Sequence, residues 1–193
     1  MHSSYPGSKP SGQNIKTNES FGIIFDFGQE FLSESSYRKE FNVIHVIGEA
    51  HFSLLKIFLK HQLIGRVIGD RIDLEANKSS FQRIRKINLK QIPRGSEYPL
   101  EEQLTKLVKN QEQNRFVKFF NEAKPITIKL HQLKLLPGVG QKRMWTIIES
   151  RKQKEFDSYS DIEKRTGFSP IPVLVKRILE ELSGEEQHVL FVK

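Results

Sequence analysis

The chain has 193 residues, a formal net charge of +8 at pH 7 and no cysteine. This length fits one or two domains with an ordinary hydrophobic core. The lack of cysteine excludes disulfide scaffolds, thiolate zinc sites, iron–sulfur clusters and cysteine nucleophiles. The longest nearly apolar run, from Phe52 to Leu59, is interrupted by Lys56 and is too short to cross a bilayer. These properties favour a cytoplasmic protein, not bound to a membrane, whose partner is a polyanion such as nucleic acid.

The first half of the chain is rich in β-forming residues after a polar start. Residues 1–20 contain Ile15 as their single aliphatic residue and predict a disordered tail. Residues 21–95 predict short strands separated by polar breaks, with a loop over 28–39. The predicted strands are Phe21–Phe27, Phe41–Ile47, His51–Lys60, Arg71–Glu75 and Phe81–Leu89. Short strands without intervening helices indicate a small barrel, for which an OB-like barrel is favoured and an SH3-like barrel is the alternative.

Helical signals begin at Ser96 and continue almost to the end of the chain. Ser96 is a candidate N-cap and Pro99 lies in the first turn of a connecting helix predicted over residues 96–124. Residues 125–183 predict an all-helical domain. Its predicted helices are Ile126–Leu135, Gln141–Lys154, Ser160–Arg165 and Val173–Leu182. Residues 184–193 predict a C-terminal tail in which Val189–Val192 is a strand returning to the barrel.

The positive charge is concentrated in two segments. Residues 56–94 carry a net charge of +7, residues 124–154 carry another +7, and the blocks around them are slightly acidic. A solvated surface usually intersperses the two signs of charge. The segregation therefore predicts either two phosphate-contacting surfaces or one continuous surface.

The most specific pattern is the glycine pair at the start of the second predicted helix of this domain. Gly138 and Gly140 flank Val139, and Lys142 and Arg143 follow in the first helical turn. Free amide groups at a helix start bind anions, and the helix dipole disfavours cations there unless an anion completes the site. A Rossmann fingerprint would need a third glycine at position 143, and no P-loop pattern occurs. Phosphate contact is therefore favoured over an ordinary helix–helix turn.

These residues resemble the helix-hairpin-helix motif, which occurs in many DNA-repair, recombination and RNA-handling proteins. The motif grips the sugar–phosphate backbone without reading bases. The resemblance implies that the amides of Gly138 and Gly140, together with Lys142 and Arg143, meet consecutive phosphates. It extends the binding set to Pro137, Val139 and Lys134.

Two further implications follow from the same resemblance. In some members the hairpin carbonyls hold a monovalent cation, and the matching carbonyls here are those of Lys134, Leu136 and Val139. Residues 166–170, followed by the helix predicted from Val173, are similar to a second hairpin that lacks the Gly-x-Gly signature. The domain over 125–183 is then a tandem helix-hairpin-helix domain with a degenerate second hairpin.

A resemblance to an uncharacterised archaeal family covers nearly the whole chain beyond the tail. The segments that carry it are Glu40–Leu89, Asn114–Ala123, Pro125–Thr127, Leu130–Leu133 and Met144–Trp145. Members of that family join an OB-like barrel to a helix-hairpin-helix domain and are labelled nucleic-acid- or nucleotide-binding. The predicted fold class is therefore α+β, a small N-terminal OB-like β-barrel followed by an all-helical C-terminal helix-hairpin-helix domain. The family implies no established reaction and no cofactor.

Basic and aromatic residues outside the hairpin have either a packing role or a binding role. Arg83, Arg85 and Lys86 are candidates for a second contact surface on the barrel. Phe52, Phe58 and Phe81 are favoured as barrel core over base-stacking residues. For Trp145, core or interdomain packing is favoured over base stacking.

Three alternatives to non-catalytic nucleic-acid binding remain. A DNA lyase or glycosylase would use Lys142 as a Schiff-base nucleophile with Asp157 or Asp161, but a lysine nucleophile needs a depressed pKa. A protein-interaction module would use the apolar helix over 100–120. A translation factor associated with RNA or the ribosome would contact RNA with the same residues. The histidines lack metal-ligand spacing, and Asp70, Asp73 and Glu75 fit a solvated strand face better than a magnesium site.

Overall fold

The N-terminal half of the protein is one antiparallel sheet of five strands, which curls into a half-barrel. A computed structural model describes residues 17–34 and 37–193, so most of the predicted tail over 1–20 lies outside the described residues. The strands have the order β4-β1-β2-β3-β5 across the sheet. They are β1 Phe21–Glu34, β2 Tyr37–Gly48, β3 Leu54–Leu59, β4 Arg71–Asp73 and β5 Phe81–Ile87.

The first two strands are much longer than predicted. Residues 28–34, expected in a loop, continue β1 and pair with β2 as far as the contact of Glu34 with Tyr37. An antiparallel ladder satisfies its backbone groups by itself, so polar residues can extend it beyond the apolar core. The predicted loop over 28–39 is therefore wrong for residues 28–34 and 37–39, and residues 35–36 lie outside the described residues.

The third strand begins later than predicted because the residues before it form a tight turn. The carboxylate of Glu19, which is 2% exposed, accepts hydrogen bonds from the amides of Ala50, His51 and Ser53 at 2.9–3.0 Å. Phe52 lies between them in the left-handed region with φ 54°. This conformation is unfavourable for a bulky residue, and the hydrogen bonds to Glu19 hold it in place.

Apolar clusters fill the space on both faces of the sheet. Inside the curl pack Ile44, Val46, Leu55, Ile57 and Ile72. On the other face Phe25, Ile47 and Leu54 belong to a larger cluster that includes the helices. The three phenylalanines predicted as barrel core, Phe52, Phe58 and Phe81, are at most 5% exposed. Phe81 packs inside the curl as predicted, whereas Phe52 packs in the cluster that includes the helices and Phe58 in a small cluster with Phe41 and Val43.

Five α-helices follow the sheet and make the fold mixed α+β, as predicted. They are α1 Glu97–Asn110, α2 Lys118–Glu122, α3 Gln141–Gln153, α4 Tyr159–Thr166 and α5 Pro170–Leu182. A turn of π-helix, Glu112–Val117, separates α1 from α2, so the predicted helix over 96–124 is interrupted. None of the helices in the described chain is long and apolar enough to span a membrane.

The helix predicted over Ile126–Leu135 is largely absent. A β-bridge between Pro125 and His131 closes a bend, and only Gln132–Leu135 forms a short 3-10 helix. The Thr127 hydroxyl accepts hydrogen bonds from the amides of Lys129 and Leu130 at 3.3 and 3.1 Å. This local side-chain bonding competes with helix formation, and the flanking β-branched isoleucines also disfavour it.

The predicted strand Val189–Val192 is also wrong, and the segment is irregular. The amides of Leu190, Phe191 and Val192 donate to the carboxylate of Glu181 on α5 at 2.8–3.0 Å. Because these donors are satisfied by a side chain, the segment does not need a strand partner.

Candidate nucleic-acid interface

The turn between the short 3-10 helix and α3 has a fixed backbone. Gly138 has φ 76°, a left-handed conformation that glycine adopts without steric cost. The amide of Val139 donates to the carbonyl of Leu136 at 3.0 Å, and the Val139 side chain is 4% exposed within the helical core. The turn is therefore closed by one hydrogen bond and anchored by one buried side chain, while Pro137 is half-buried beside it.

The carbonyls that the helix-hairpin-helix resemblance implies as cation ligands lie in this turn and in the short 3-10 helix before it, which contains Lys134. The oxygen of Leu136 accepts the Val139 amide and keeps a second lone pair. The Leu136 oxygen is therefore compatible with a cation ligand. The set of Lys134, Leu136 and Val139 carbonyls stays a prediction for a monovalent cation.

The N-terminus of α3 is open to solvent. Its N-cap is Gly140, which has extended φ and ψ of −78° and −177° and supplies no side-chain cap. A Cβ built on Gly140 would meet no atom within 4 Å. The first turn contains Gln141, Lys142 and Arg143 and no acidic residue. Amide groups that lack a capping oxygen, together with the positive end of the helix dipole, form an anion-binding position.

Arg143 and Lys142 differ in their surroundings, although the sequence analysis predicted the same phosphate-contacting role for both. Nη1 of Arg143 donates to the carbonyl of Gly138 at 2.7 Å. Its guanidinium carbon lies 5.7 Å from the centroid of the Phe168 ring, at the next helix–helix turn. Lys142 is exposed and makes neither kind of contact with the residues that the structure describes. Arg143 therefore stabilises the turn, whereas Lys142 is free to meet a ligand.

The lysines around this turn also lack acidic partners. We name four basic residues here the α3 cation cluster: Lys129, Lys134, Lys142 and Arg143. None of them forms an ion pair within residues 17–34 and 37–193. All four side chains belong to exposed residues. The second of the two basic segments therefore retains much of its charge on the surface.

Ion pairs neutralise much of the other basic segment. In the sheet region the pairs are Lys56 with Glu30, Arg66 with Asp70, Arg71 with Glu49, Lys78 with Glu75 and Lys90 with Glu185. The two +7 segments of the sequence therefore differ in how many of their cations are paired with carboxylates. The segment in the sheet is the less attractive of the two to a polyanion.

The structure separates the three basic residues predicted as one barrel patch. Arg83 and Arg85 pair with Phe58 and Lys56 on β3 and share one face of the sheet. Lys86 faces the other side, since successive strand residues alternate, and its Nζ donates to the backbone oxygen of Lys193 at 2.7 Å. The prediction that Lys86 joins the two arginines is therefore wrong.

The turn between α4 and α5 shares three features with the first turn. Gly167 has φ 67°, Phe168 is buried, and Ser169 is an extended N-cap without a side-chain cap bond. This order matches Gly138-Val139-Gly140. However, Pro170 and Pro172 stand in the first turn of α5, and proline has no N–H to offer an anion. The second turn thus has the same order of features as the first and fewer backbone donors.

Sequence reasoning missed the role of His131. Its Nδ1 accepts a hydrogen bond from the amide of Leu133 at 3.1 Å and so caps the short helix that leads into the turn containing Gly138 and Gly140. Burial lowers the pKa of His131, and the positive charge of Arg151 lowers it further. Histidine is not a usual N-cap residue, so no sequence signal pointed to this contact.

The groups required by the lyase alternative lie far apart. Lys142 is in the first turn of α3, while Asp157 follows the last turn of that helix. Eleven residues at 1.5 Å each separate the two ends by about 17 Å. Asp161 contacts Arg165, which also bonds the carbonyls of Ser150 and Lys154 at that far end. Neither aspartate is placed to act with Lys142.

Metal-binding side chains do not cluster in the described ranges. No group of three or more histidine, aspartate or glutamate residues there could hold a metal ion. The Asp73 carboxylate instead accepts hydrogen bonds from the amides of Glu75 and Ala76 at 3.0 and 2.9 Å. The acidic residues around β4 therefore serve a local turn.

Comparisons with known proteins give a family and relatives. Residues 18–193 match a family model described as "Protein of unknown function (DUF655)". The chain is 36% identical over 155 residues to "Uncharacterized protein MJ0038" of Methanocaldococcus jannaschii, an alignment that covers 78% of this chain and 70% of the relative. It is also similar to the crystal structure of Af1531 from Archaeoglobus fulgidus, with 27% identity and a TM-score of 0.76. That similarity covers 91% of this chain and 100% of the solved one.

Proposed function

The chain belongs to the DUF655 family, which has archaeal members, and we propose that it binds the sugar–phosphate backbone of nucleic acid at the N-terminus of α3. The observation that carries this proposal is the α3 cation cluster without acidic partners beside a helix start without a side-chain cap. Phosphate satisfies both features at once, because its oxygens accept amide hydrogen bonds and its charge offsets the lysines.

The two helix–helix turns support a tandem helix-hairpin-helix domain over residues 125–183. In this assignment the first hairpin joins the short helix Gln132–Leu135 to α3, and the second joins α4 to α5. The matching glycine conformations at Gly138 and Gly167 support the pairing. The prolines at the start of α5 explain why the second hairpin serves as a structural mate and the first as the binding hairpin.

The sheet over residues 21–95 is assigned as a partly open OB-like barrel. Its five antiparallel strands and apolar interior support this assignment. Arg83 and Arg85 share one face and form the proposed second contact surface. Its contribution is smaller than that of α3, because neighbouring cations are already paired with carboxylates.

The proposed interaction is non-catalytic and depends little on sequence. Phosphate contacts position a protein on nucleic acid without specifying bases. Lys142 lies at the start of α3 and the two aspartates follow the end of that helix, which favours binding over lyase chemistry. A monovalent cation on the hairpin carbonyls would add positive charge near the phosphate.

Salt-dependent binding tests this function. Fluorescence anisotropy measures the affinity of the full chain for labelled duplex DNA, single-stranded DNA and RNA of mixed sequence at several salt concentrations. If four to five phosphates are neutralised, the log–log slope on duplex is about −4. A slope near zero on all three polymers contradicts the proposal.

A matched pair of variants assigns the contact to the hairpin. Lys142→Gln removes one positive charge from the α3 cation cluster and should reduce the size of the salt slope by about 1. Lys78→Gln removes the same charge from a lysine that is paired with Glu75 in the connection between β4 and β5, and it should leave the slope unchanged. Equal effects of both variants would assign binding to net charge and not to the hairpin. Tighter binding of RNA than of either DNA, followed by sedimentation with ribosomes, would direct the proposal toward translation.

A further inference from the structure

A shallow apolar groove lies beside the proposed phosphate site. It has a volume of about 190 Å³ and lies between residues 125–131 and the first turns of α3. The residues that matter for its chemistry are Ile128, Leu130, Lys134, Gln141, Met144 and Trp145. Pockets for drug-sized ligands have volumes of about 300–1,000 Å³, so this groove has room for a single ring system.

The groove exposes apolar surface that the packing of the chain does not need. Trp145 is 47% exposed and Ile128 is fully exposed, whereas the neighbouring Met144 is 5% exposed. The packing role that the sequence favoured for Trp145 therefore explains only part of its surface. Exposed apolar surface next to unpaired lysines marks a site for a ligand that is both aromatic and anionic.

We infer, on the basis of the proposed function, that this groove receives an unpaired nucleobase that stacks on Trp145. Gln141 and Trp145 are one helical turn apart on α3, about 6 Å between their Cβ atoms. One nucleotide thus reaches both points, with its phosphate at the helix start and its base in the groove. Lys129 and Lys134 flank the groove and complement the charge of the adjoining phosphates.

Stacking on an aromatic side chain tolerates any base, since every base has a π face. Bases in an intact duplex are already stacked and paired and do not enter such a groove without opening. The inference therefore specifies the polymer: a single strand, or a duplex with unpaired nucleotides, in preference to a continuous duplex.

The fluorescence of Trp145 tests this directly, because it is the single tryptophan of the chain. The full chain is titrated at low salt with a single-stranded oligonucleotide, an abasic oligomer of the same length and an intact duplex. Labelled versions of each report binding by anisotropy. We expect the single strand to quench Trp145 emission, and the abasic oligomer and the duplex to bind with little quenching.

Variants give a second readout. Trp145→Ala should weaken single-strand binding about tenfold and leave abasic binding unchanged. Trp145→Phe keeps an aromatic face and should bind the single strand within about threefold of the wild type, which guards against a folding defect. Tyr98→Ala removes a 76% exposed aromatic residue from α1 and should change neither affinity.

Each outcome has a distinct meaning. Equal binding of the single strand and the abasic oligomer, without quenching, overturns the groove inference and leaves backbone binding intact. Equal quenching by the duplex overturns the preference for unpaired bases. If the Trp145 emission per protein molecule changes when only the protein concentration is raised, the groove is assigned to a second copy of the chain and the inference is overturned. No binding of any oligomer at low salt overturns the proposed function and this inference together.

Discussion

The guanidinium of Arg143 donates a hydrogen bond to the carbonyl oxygen of Gly138, with 2.7 Å between Nη1 and O. A guanidinium has five N–H donors, so this bond leaves others for a phosphate. The same side chain also contacts the ring of Phe168 in the second turn. Arg143 thus links the two helix–helix turns and belongs to the proposed binding surface.

Replacing Arg143 should therefore affect both folding and binding. We expect Arg143→Gln to lower the free energy of unfolding by about 1 kcal/mol, since one hydrogen bond to the turn is lost, and to weaken nucleic-acid binding. Lys142→Gln should weaken binding and leave the unfolding free energy unchanged. Urea unfolding and anisotropy measure the two effects. Equal unfolding free energies for the two variants would contradict the structural role of Arg143.

The two glycines of the turn before α3 should respond differently to alanine. Gly138→Ala places a side chain at φ 76° and should cost about 1–2 kcal/mol of stability. Gly140 has φ −78° and open space at its Cβ, so Gly140→Ala should change the stability by less than about 0.5 kcal/mol. The added methyl group would stand between the α3 amides and a phosphate and should reduce affinity. Thermal unfolding and anisotropy measured together separate the two predictions; a stability loss in Gly140→Ala equal to that in Gly138→Ala contradicts them.

The buried pair on α5 should be essential for docking the C-terminal segment. Nε of Arg177 donates to Oε1 of Glu181 at 2.8 Å, and the Glu181 side chain is fully buried. Arg177→Met leaves that carboxylate without its positive partner and should cost about 3–5 kcal/mol. Glu185→Gln, which breaks a surface pair with Lys90, should leave the unfolding midpoint unchanged. Similar midpoints for both variants, measured in urea, would contradict the role of the buried pair.

Local sequence signals were sufficient where one pattern dominated. The β-branched and aromatic runs predicted the five strands of the sheet, and the Gly-Val-Gly pattern predicted the turn before α3. The same signals failed where side chains bond the backbone. Thr127 satisfies local amides and replaces a helix with a bend, and Glu181 satisfies the amides of residues 190–192 in place of a strand partner.

The candidate site was predictable in part for a related reason. Gly138, Gly140 and Lys142 could be recognised as candidate site residues because the glycine motif and the positive charge are adjacent in the sequence. The direction of Lys86 and the exposure of Trp145 depend on strand register and on the path of residues 125–131. Neither the direction of Lys86 nor the exposure of Trp145 is a property of nearby residues alone. Composition and periodicity therefore placed Lys86 on the wrong face and explained only part of the surface of Trp145.

Acidic pH should weaken the cap that His131 provides to the short helix Gln132–Leu135. Nδ1 must be unprotonated to accept the Leu133 amide, and burial lowers the pKa of His131 below its usual value of 6.5 in the folded chain. Between the folded and unfolded pKa values the unfolded chain binds more protons, so stability rises with pH in that window. This contribution is fully present above pH 6.5 and is lost as the pH falls toward the folded pKa, with a slope of at most about 1.4 kcal/mol per pH unit.

A conservative variant separates this effect from that of His45, whose pKa is also lowered, chiefly by burial. His131→Asn keeps an oxygen acceptor at the N-cap and does not titrate. Its unfolding free energy should therefore fall less steeply than that of the wild type as the pH is lowered from 7.5 to 5.5, whereas His131→Ala should be less stable throughout the upper part of this range. Because His45 is present in all three proteins, its contribution cancels in the comparison. Parallel pH profiles for the wild type and His131→Asn would show that the cap does not titrate, and the His131–Leu133 hydrogen bond would then need another explanation for its resistance to acid.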